Sequence, residues 1–522
     1  MQFITRTKVF GIVMVVLALL AAPGFPLRGA ERGKAVLQPQ YGGTLRICNL
    51  AADGISIGYP PKLVRTQSNR IAGAAVETLL RTDTSGKPVP WLATGYKEDA
   101  KAKTITLRLR TGVKFHDGTD FNAEAVKWNL DQCWAEKNAG TEKFKAVDVV
   151  NDSTVRITLS EWDSTVVSNL TQTIGLMVSP ISCKKNGDQW AQSHPVGTGP
   201  FEFVSWEKDV RVVFKKFPGY WQKGKPYLDR IEFIIIADTV TQEMSLRAKE
   251  LDLRLTLRAK GVPEFEKEGF VVLRTKPGSG AYGLVPDSGN SKSPWADVRV
   301  RRAAAYAIDR ETITKSIFFD LYEASNQYGY KGHWGYNPKV MGYPYNPDKA
   351  RKLLAEAGYP NGFKTKITMM SDPEENKGWM AAVNYLRDVG IDAEVELVQQ
   401  RRILEIAYGG KWEGLLPNSI SPNPDVVVPL STRYGGAGAF TMMLEPDDYR
   451  AAIQKAVTAP DFKTKVKWTQ EAQRLMIDKY ALQIMLYCPS DFAISVPKVH
   501  GHGFSATPNS GIWTPEDAWI QK

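Results

Sequence analysis

Residues 195–233 read PVGTGPFEFVSWEKDVRVVFKKFPGYWQKGKPYLDRIEF, and the order of their pieces decides the fold. Gly197, Gly199 and Pro200 predict a tight turn around Thr198, because glycine accepts backbone angles other residues resist and proline fixes its own. Two strand-like runs follow, Phe201–Trp206 and Val210–Lys215, with turn-forming residues between them, so a hairpin is expected. Pro218-Gly219 breaks the chain before Tyr220-Trp221. Lys225-Pro226 then leads into Ile231–Ala237, apolar on both faces, as suits a strand in the middle of a sheet.

At 522 residues the chain exceeds what one core supports, and two or three domains are expected. A hydrophobic share of 43% with 24% charged residues fits a globular protein. The net charge is +11, yet no Lys/Arg run is dense enough to track a phosphate backbone, so nucleic acid is not expected as a partner. Arg6 and Lys8 precede Val9–Ala22, an apolar run of 14 residues. Spanning a bilayer takes about 20 apolar residues, so the run reads as a secretory leader over residues 1–30, cleaved between 22 and 34. No cysteine follows it, so no lipid anchor is expected. The four cysteines, Cys48, Cys133, Cys183 and Cys488, allow three pairings or none.

The GTGPF turn, the hairpin, the YW pair and KPYLDRIEF together resemble the signature of the family 5 extracellular solute-binding proteins, periplasmic receptors of peptide- and nickel-type ABC importers. YGGTLRI at 41–47 resembles the start of such a mature chain, and VKFHDGT at 113–119 a characteristic turn. Ile71–Leu80, containing AAVETLL, reads as helix-like. In 122–134, Asn122 is a good N-cap, and Val126, Leu130, Cys133 and Trp134 share one face. Thr241–Leu253 reads as a helix. DVRVRRAAAYAIDR at 297–310 is a second match, with Asp297 capping a helix and Asp309-Arg310 as its charged end. YPYNPDKARKLLAEAGYP at 343–360 is a third: Asn346 caps, Pro347 starts the helix, and Gly358 ends it. Strand, helix and strand at Ile367–Met370, Trp379–Val389 and Ile391–Leu397 predict a parallel pair.

The resemblance spans roughly residues 41–505. It implies an α/β, two-lobed periplasmic-binding-protein fold with hinge strands and an extra subdomain in the first lobe. The first lobe would comprise 41–270, with the subdomain at about 82–190 inserted, and 490–522. The second would comprise 271–489. The implied function is capture of a small ligand, peptide-class or neutral polar, between the lobes, and its delivery to the permease subunits of an ABC importer. The protein would act as a monomer in the periplasm. Alternatives are a periplasmic hydrolase, or a sensor or chaperone without a permease.

No catalytic residue, cofactor or metal is expected. The five histidines form no H-E-x-x-H arrangement. His500-Gly501-His502 lacks nearby carboxylates or thiols. In the resembling family, the loop after a second-lobe strand carries an acid for a peptide's free amine. Here that loop reads Pro417-Asn418-Ser419-Ile420-Ser421-Pro422-Asn423-Pro424-Asp425, with neutral Ser421 and Asn423 where acids are common. A buried carboxylate needs a partner charge, so this loop points away from a free ammonium and toward a neutral ligand met by Asn418, Ser419, Ser421 and Asn423. Asp425 and Glu413 remain as possible acids. Aromatic candidates for the cleft are Tyr59, Tyr282, Tyr328, Tyr330, Trp379 and Tyr434, each offering large contact area.

Overall fold

A computed structural model describes residues 37–49, 56–63, 66–256, 259–275, 280–372, 376–409, 412–419, 423–435, 439–504 and 512–522. The leader and its cleavage site lie outside the described residues.

The quoted hairpin forms as expected: Phe201–Glu207 pairs antiparallel with Arg211–Lys216, which pairs with Arg230–Ile235. These three strands open a seven-stranded sheet that continues through Thr44–Asn49, Leu253–Thr256, Phe492–Ser495 and Val271–Arg274. Arg230–Ile235 lies inside the sheet, parallel to Thr44–Asn49, with Ile231 and Phe233 fully buried. The two glycines of the turn serve a different purpose from the one their type suggests. Neither has a positive φ. A Cβ on Gly197 would stand 2.1 Å from the Ala75 carbonyl oxygen, and one on Gly199 2.6 Å from the Ala75 carbonyl carbon, so close backbone approach demands them.

A second, six-stranded sheet runs Glu323–Ala324, Ile484–Cys488, Tyr282–Pro286, Leu415–Ser419, Phe363–Met370 and Ile391–Val398. The last two are parallel and joined by the helix Lys377–Asp388, the expected βαβ unit. A third sheet, Ala93–Asp99, Thr104–Leu109, Thr154–Leu159 and Phe144–Asn151, is entirely antiparallel. It packs with the helix Ala123–Ala135 around its own apolar core, which includes Leu79, Phe115, Val126 and Met177. The architecture is mixed α/β.

Two segments cross between the large sheets. One leaves Arg274 and reaches Tyr282; the other leaves Cys488 and reaches Phe492. Thr275 and Asp491 tie them together: Thr275 N–H donates to Asp491 O, and Asp491 N–H donates to Thr275 Oγ1, both at 2.9 Å. Val271–Arg274 pairs with Phe492–Ser495 in the first sheet, so the crossing begins four residues later than a boundary at 270 implies.

Local capping rules hold. Asn122 Oδ1 accepts from Ala125 N–H, and Asn346 Oδ1 from Lys349 N–H. Three helix readings need correction. The helix ends at Ala72, and AAVETLL continues as short strands Glu77–Thr78 and Leu80–Thr82, because the Glu77 carboxylate is anchored by distant donors. The helix Thr239–Arg247 stops before the KELDL stretch, whose Lys249 takes φ +60° and whose Leu253 enters the sheet. Asp309 starts a second helix, Arg310–Phe318, by accepting from Thr312 N–H. All four cysteines are buried free thiols, and burial pushes each up to about 12. Among the described residues, no helix is long and apolar enough to cross a membrane.

Candidate functional site

In open α/β sheets the strand ends at a crossing point are where ligands bind. Tyr282 opens its strand opposite Ser419, the last residue of one neighbour, and Tyr487, near the end of the other. All three therefore sit at the edge from which both crossing segments leave. Trp379 reaches the same edge because the strand Phe363–Met370 ends there and the next helix starts at Lys377. Gly378 makes this possible, since a Cβ there would lie 2.4 Å from Tyr487 Oη. The Tyr282 ring stacks on Trp379 at 5.8 Å and 14° and leans on Tyr487 at 5.5 Å. The structure thus unites two of the expected aromatics in one wall. Beside it, Asn376 donates from Nδ2 to Met370 O at 2.6 Å, while Asn376 Oδ1 and Trp379 Nε1 are buried without a partner.

Asn418 is the penultimate residue of its strand. Its Nδ2 donates to Tyr328 Oη at 2.9 Å, and that hydroxyl donates to Gln483 Oε1 at 2.7 Å. Tyr434 stacks on Tyr328 at 5.9 Å. Burial pushes both phenols far above their usual range, so they stay neutral. Asn418 Oδ1 has no protein partner. Buried polar atoms left unpaired are uncommon in folded proteins and ask for a bound molecule or water. Three of them (Asn376 Oδ1, Trp379 Nε1 and Asn418 Oδ1) belong to this strand edge and the elements leading from it, two as acceptors and one as donor.

Other expected residues fall elsewhere. Tyr59 is buried beside the helix Ala123–Ala135, donating to Gln132 Oε1 at 3.1 Å, which is a packing role. Tyr330 is buried with its hydroxyl on Thr84 O. Asn423 Oδ1 accepts from Asp425 N–H at 2.8 Å, closing a turn. Ser421 and the Ser419 side chain lie outside the described residues. Asp425 is fully buried; Oδ1 caps Val427 N–H at 2.9 Å, and Oδ2 binds the Lys465 ammonium. It is therefore unavailable to an incoming amine. Glu413 is exposed. His500 stacks on Trp519 at 4.3 Å, His502 is buried, and among the described residues no three His, Cys, Asp or Glu form a metal site.

Gly54-Ile55-Ser56-Ile57-Gly58 has the spacing of a hydrolase nucleophile elbow, which corrects the expectation that the chain contains no G-x-S-x-G. Ser56 is buried, and its Oγ accepts from Tyr59 N–H at 3.2 Å, the geometry of a local turn. The sequence reading also missed Asn376, Gln483, Tyr487 and Lys465. Nothing in their spacing marks them; Lys465 stands in FKTKVKW with two other lysines.

The family model described as bacterial extracellular solute-binding proteins, family 5 Middle, matches residues 87–441. The glutathione-binding protein GsiB of Pectobacterium atrosepticum is 35% identical over 305 residues, 58% of this chain and 59% of that one. GsiB of Escherichia coli K12 is 32% identical over 355 residues, covering 67% and 69%. The chain's match thus spans about six to seven tenths of these relatives. Among solved structures, the periplasmic binding protein DppA of Helicobacter pylori, in complex with peptide STSA, aligns with a TM-score of 0.70 at 24% identity, covering 92% of this chain and 99% of that one. NikA of Brucella suis, in complex with Fe(III)-EDTA, aligns at 0.78 and 20% identity, covering 91% and 100%.

Proposed function

Because the chain belongs to the family 5 bacterial extracellular solute-binding proteins, we propose that it captures a small ligand in the periplasm and hands it to the permease of an ABC importer. The ligand is of the peptide class or is neutral and polar, and no covalent step is involved. The lobes are the body of the seven-stranded sheet, carrying the four-stranded subdomain, and the body of the six-stranded sheet. The crossing segments through Thr275 and Asp491 form the hinge.

The observation that carries this reading is the wall of Tyr282 and Trp379 at the hinge-side strand edge, with unpaired polar atoms in the adjoining elements. The aromatic faces receive apolar parts of the ligand. Trp379 Nε1 donates to a carbonyl or hydroxyl, and Asn376 Oδ1 and Asn418 Oδ1 accept from amide or hydroxyl hydrogens. The names of the GsiB relatives and the peptide bound by DppA support a peptide-sized ligand. The neutral loop, and an Asp425 already paired with Lys465, favour one whose amine is blocked or absent.

Native mass spectrometry of the exported protein should detect a co-purified small molecule. Calorimetry with that molecule should show binding, and small-angle scattering a smaller radius of gyration when it is bound. No bound species, together with no response to a panel of free and N-acetylated di- and tripeptides, refutes the reading. A sensor without a permease would give the same binding and differ only in lacking neighbouring permease and ATPase genes.

A further inference from the structure

Lys465 is an unusual lysine. Its side chain is 5% exposed, and its ammonium holds Asp425 on one side and donates to Ser164 O at 2.8 Å on the other. The Trp334 ring centre lies 5.6 Å from Nζ. A buried ammonium is costly unless its protons are met, and here the acceptors come from two bodies. Asp425 leads into the helix Val427–Tyr434, which follows the strand Leu415–Ser419 of the six-stranded sheet, and Lys465 lies on the helix Phe462–Arg474. Ser164 belongs to the four-stranded subdomain with its separate core.

The surrounding contact is built for closeness. Ser164 N–H donates to Val457 O at 2.8 Å, Ser164 Oγ to Ala456 O at 2.9 Å, and Trp162 Nε1 to Ala459 O at 2.7 Å. From the other side, Trp334 N–H donates to Ser85 O at 3.0 Å and Trp334 Nε1 to Gly86 O at 3.1 Å. Gly86 sits at φ +88°, and a Cβ there would come within 2.3 Å of His333 Nε2. The ammonium is therefore fully coordinated only when the two bodies touch.

We propose that Lys465 is a specificity-determining residue: its ammonium fills the buried carboxylate of Asp425 from inside the protein and ties the subdomain to the second lobe, so closure needs no cationic ligand and disfavours one. The proposal rests on the receptor reading for its ligand consequence, but its mechanical part stands without it. A ligand ammonium that approached Asp425 would have to displace Lys465, leaving that buried ammonium without its carboxylate.

The test uses dialanine and N-acetyl-dialanine as probes on the full exported protein, as wild type, Lys465→Met and Lys465→Met/Asp425→Asn. The wild type should prefer the N-acetylated probe. Lys465→Met should shift the affinity ratio toward dialanine by about 10-fold or more, and the double variant should lose that shift. An unchanged ratio in folded Lys465→Met overturns the proposal, as does tight dialanine binding by the wild type. The second measurement needs no ligand: spin-label distances between Lys101→Cys and Asp447→Cys, both on the exposed surface. The double variant removes both charges and so keeps the fold even where Lys465→Met does not. Its distribution should move to longer distances than the Lys465/Asp425 background, and an unmoved distribution overturns the latch. Should neither peptide bind any version while the distance shifts, the latch is upheld and its ligand consequence is overturned for peptides, while the receptor reading itself stands or falls on the co-purified species and the wider panel.

Discussion

Asp491 gives the sharpest quantitative test, because two opposing effects act on one carboxyl at the hinge. Its side chain is 7% exposed, and Arg70 Nη2 stands 3.2 Å away with 4% exposure. Desolvation disfavours the carboxylate and Arg70 favours it; desolvation is the larger, and the pKa moves from 3.8 up to about 6. A group that binds its proton more tightly when folded makes the native state the better proton acceptor between those two values. Stability therefore falls as pH rises through that window, and the loss is complete above about pH 7. At 1.36 kcal/mol for each pKa unit, the contribution is about 3 kcal/mol. Asp491→Asn keeps the shape and removes the titration. Urea unfolding of wild type and variant at pH 3.5, 5 and 7 gives the comparison. The wild type should be favoured relative to Asp491→Asn at pH 3.5 by about 3 kcal/mol more than at pH 7. A difference that is flat, or that grows in favour of the wild type as pH rises, would mean that Arg70 outweighs burial and the reasoning is wrong.

Glu77 is buried and accepts from Trp91 Nε1, Thr198 Oγ1, Tyr220 Oη and Trp221 Nε1, so Glu77→Ala should lower unfolding free energy by about 3 kcal/mol or more in denaturant titration. Tyr282→Ala and Trp379→Ala should each weaken the co-purified ligand at least about 10-fold by calorimetry, whereas Tyr59→Phe should leave affinity unchanged. Equal losses in all three would remove the aromatic wall from the site. N-terminal sequencing of exported protein should begin between residues 22 and 34, with no acyl adduct in the intact mass.

The parts of the fold legible in the sequence are those whose causes lie within a few residues. Asn122, Asp297 and Asn346 cap helices because each side chain reaches a backbone N–H two or three positions on. The hairpin after the GTGPF turn follows from alternation and turn residues alone. AAVETLL misleads for the opposite reason: its residues favour a helix, but Glu77 is fixed by donors 14, 121, 143 and 144 residues away. Gly197 and Gly199 were legible as necessary but not as to why, since the clash they avoid is with Ala75, over a hundred residues earlier.

The same distinction separates the site's parts. Tyr282 and Trp379 were identifiable as aromatics at the lobe junction and at the start of a helix, whereas Tyr59, an aromatic just after the first strand, was an equal candidate with a different fate. What divides them is the presence of a neighbour such as Gln132, which no spacing reveals. Asp425 carries the larger lesson. As a lone acid in a loop of neutral residues it reads as available for an amine, and its charge would then demand a cationic ligand. Lys465, forty residues on, removes that demand. On the proposed reading, an already neutralised acid and unpaired amide and indole atoms elsewhere at the strand edge leave hydrogen bonding, not charge, as the means of recognition. Neutral hydrogen bonds discriminate by geometry, because a ligand that misplaces a donor leaves a buried atom unsatisfied. A receptor built this way should be narrower in its choice of ligand than one that holds an ammonium against an open carboxylate.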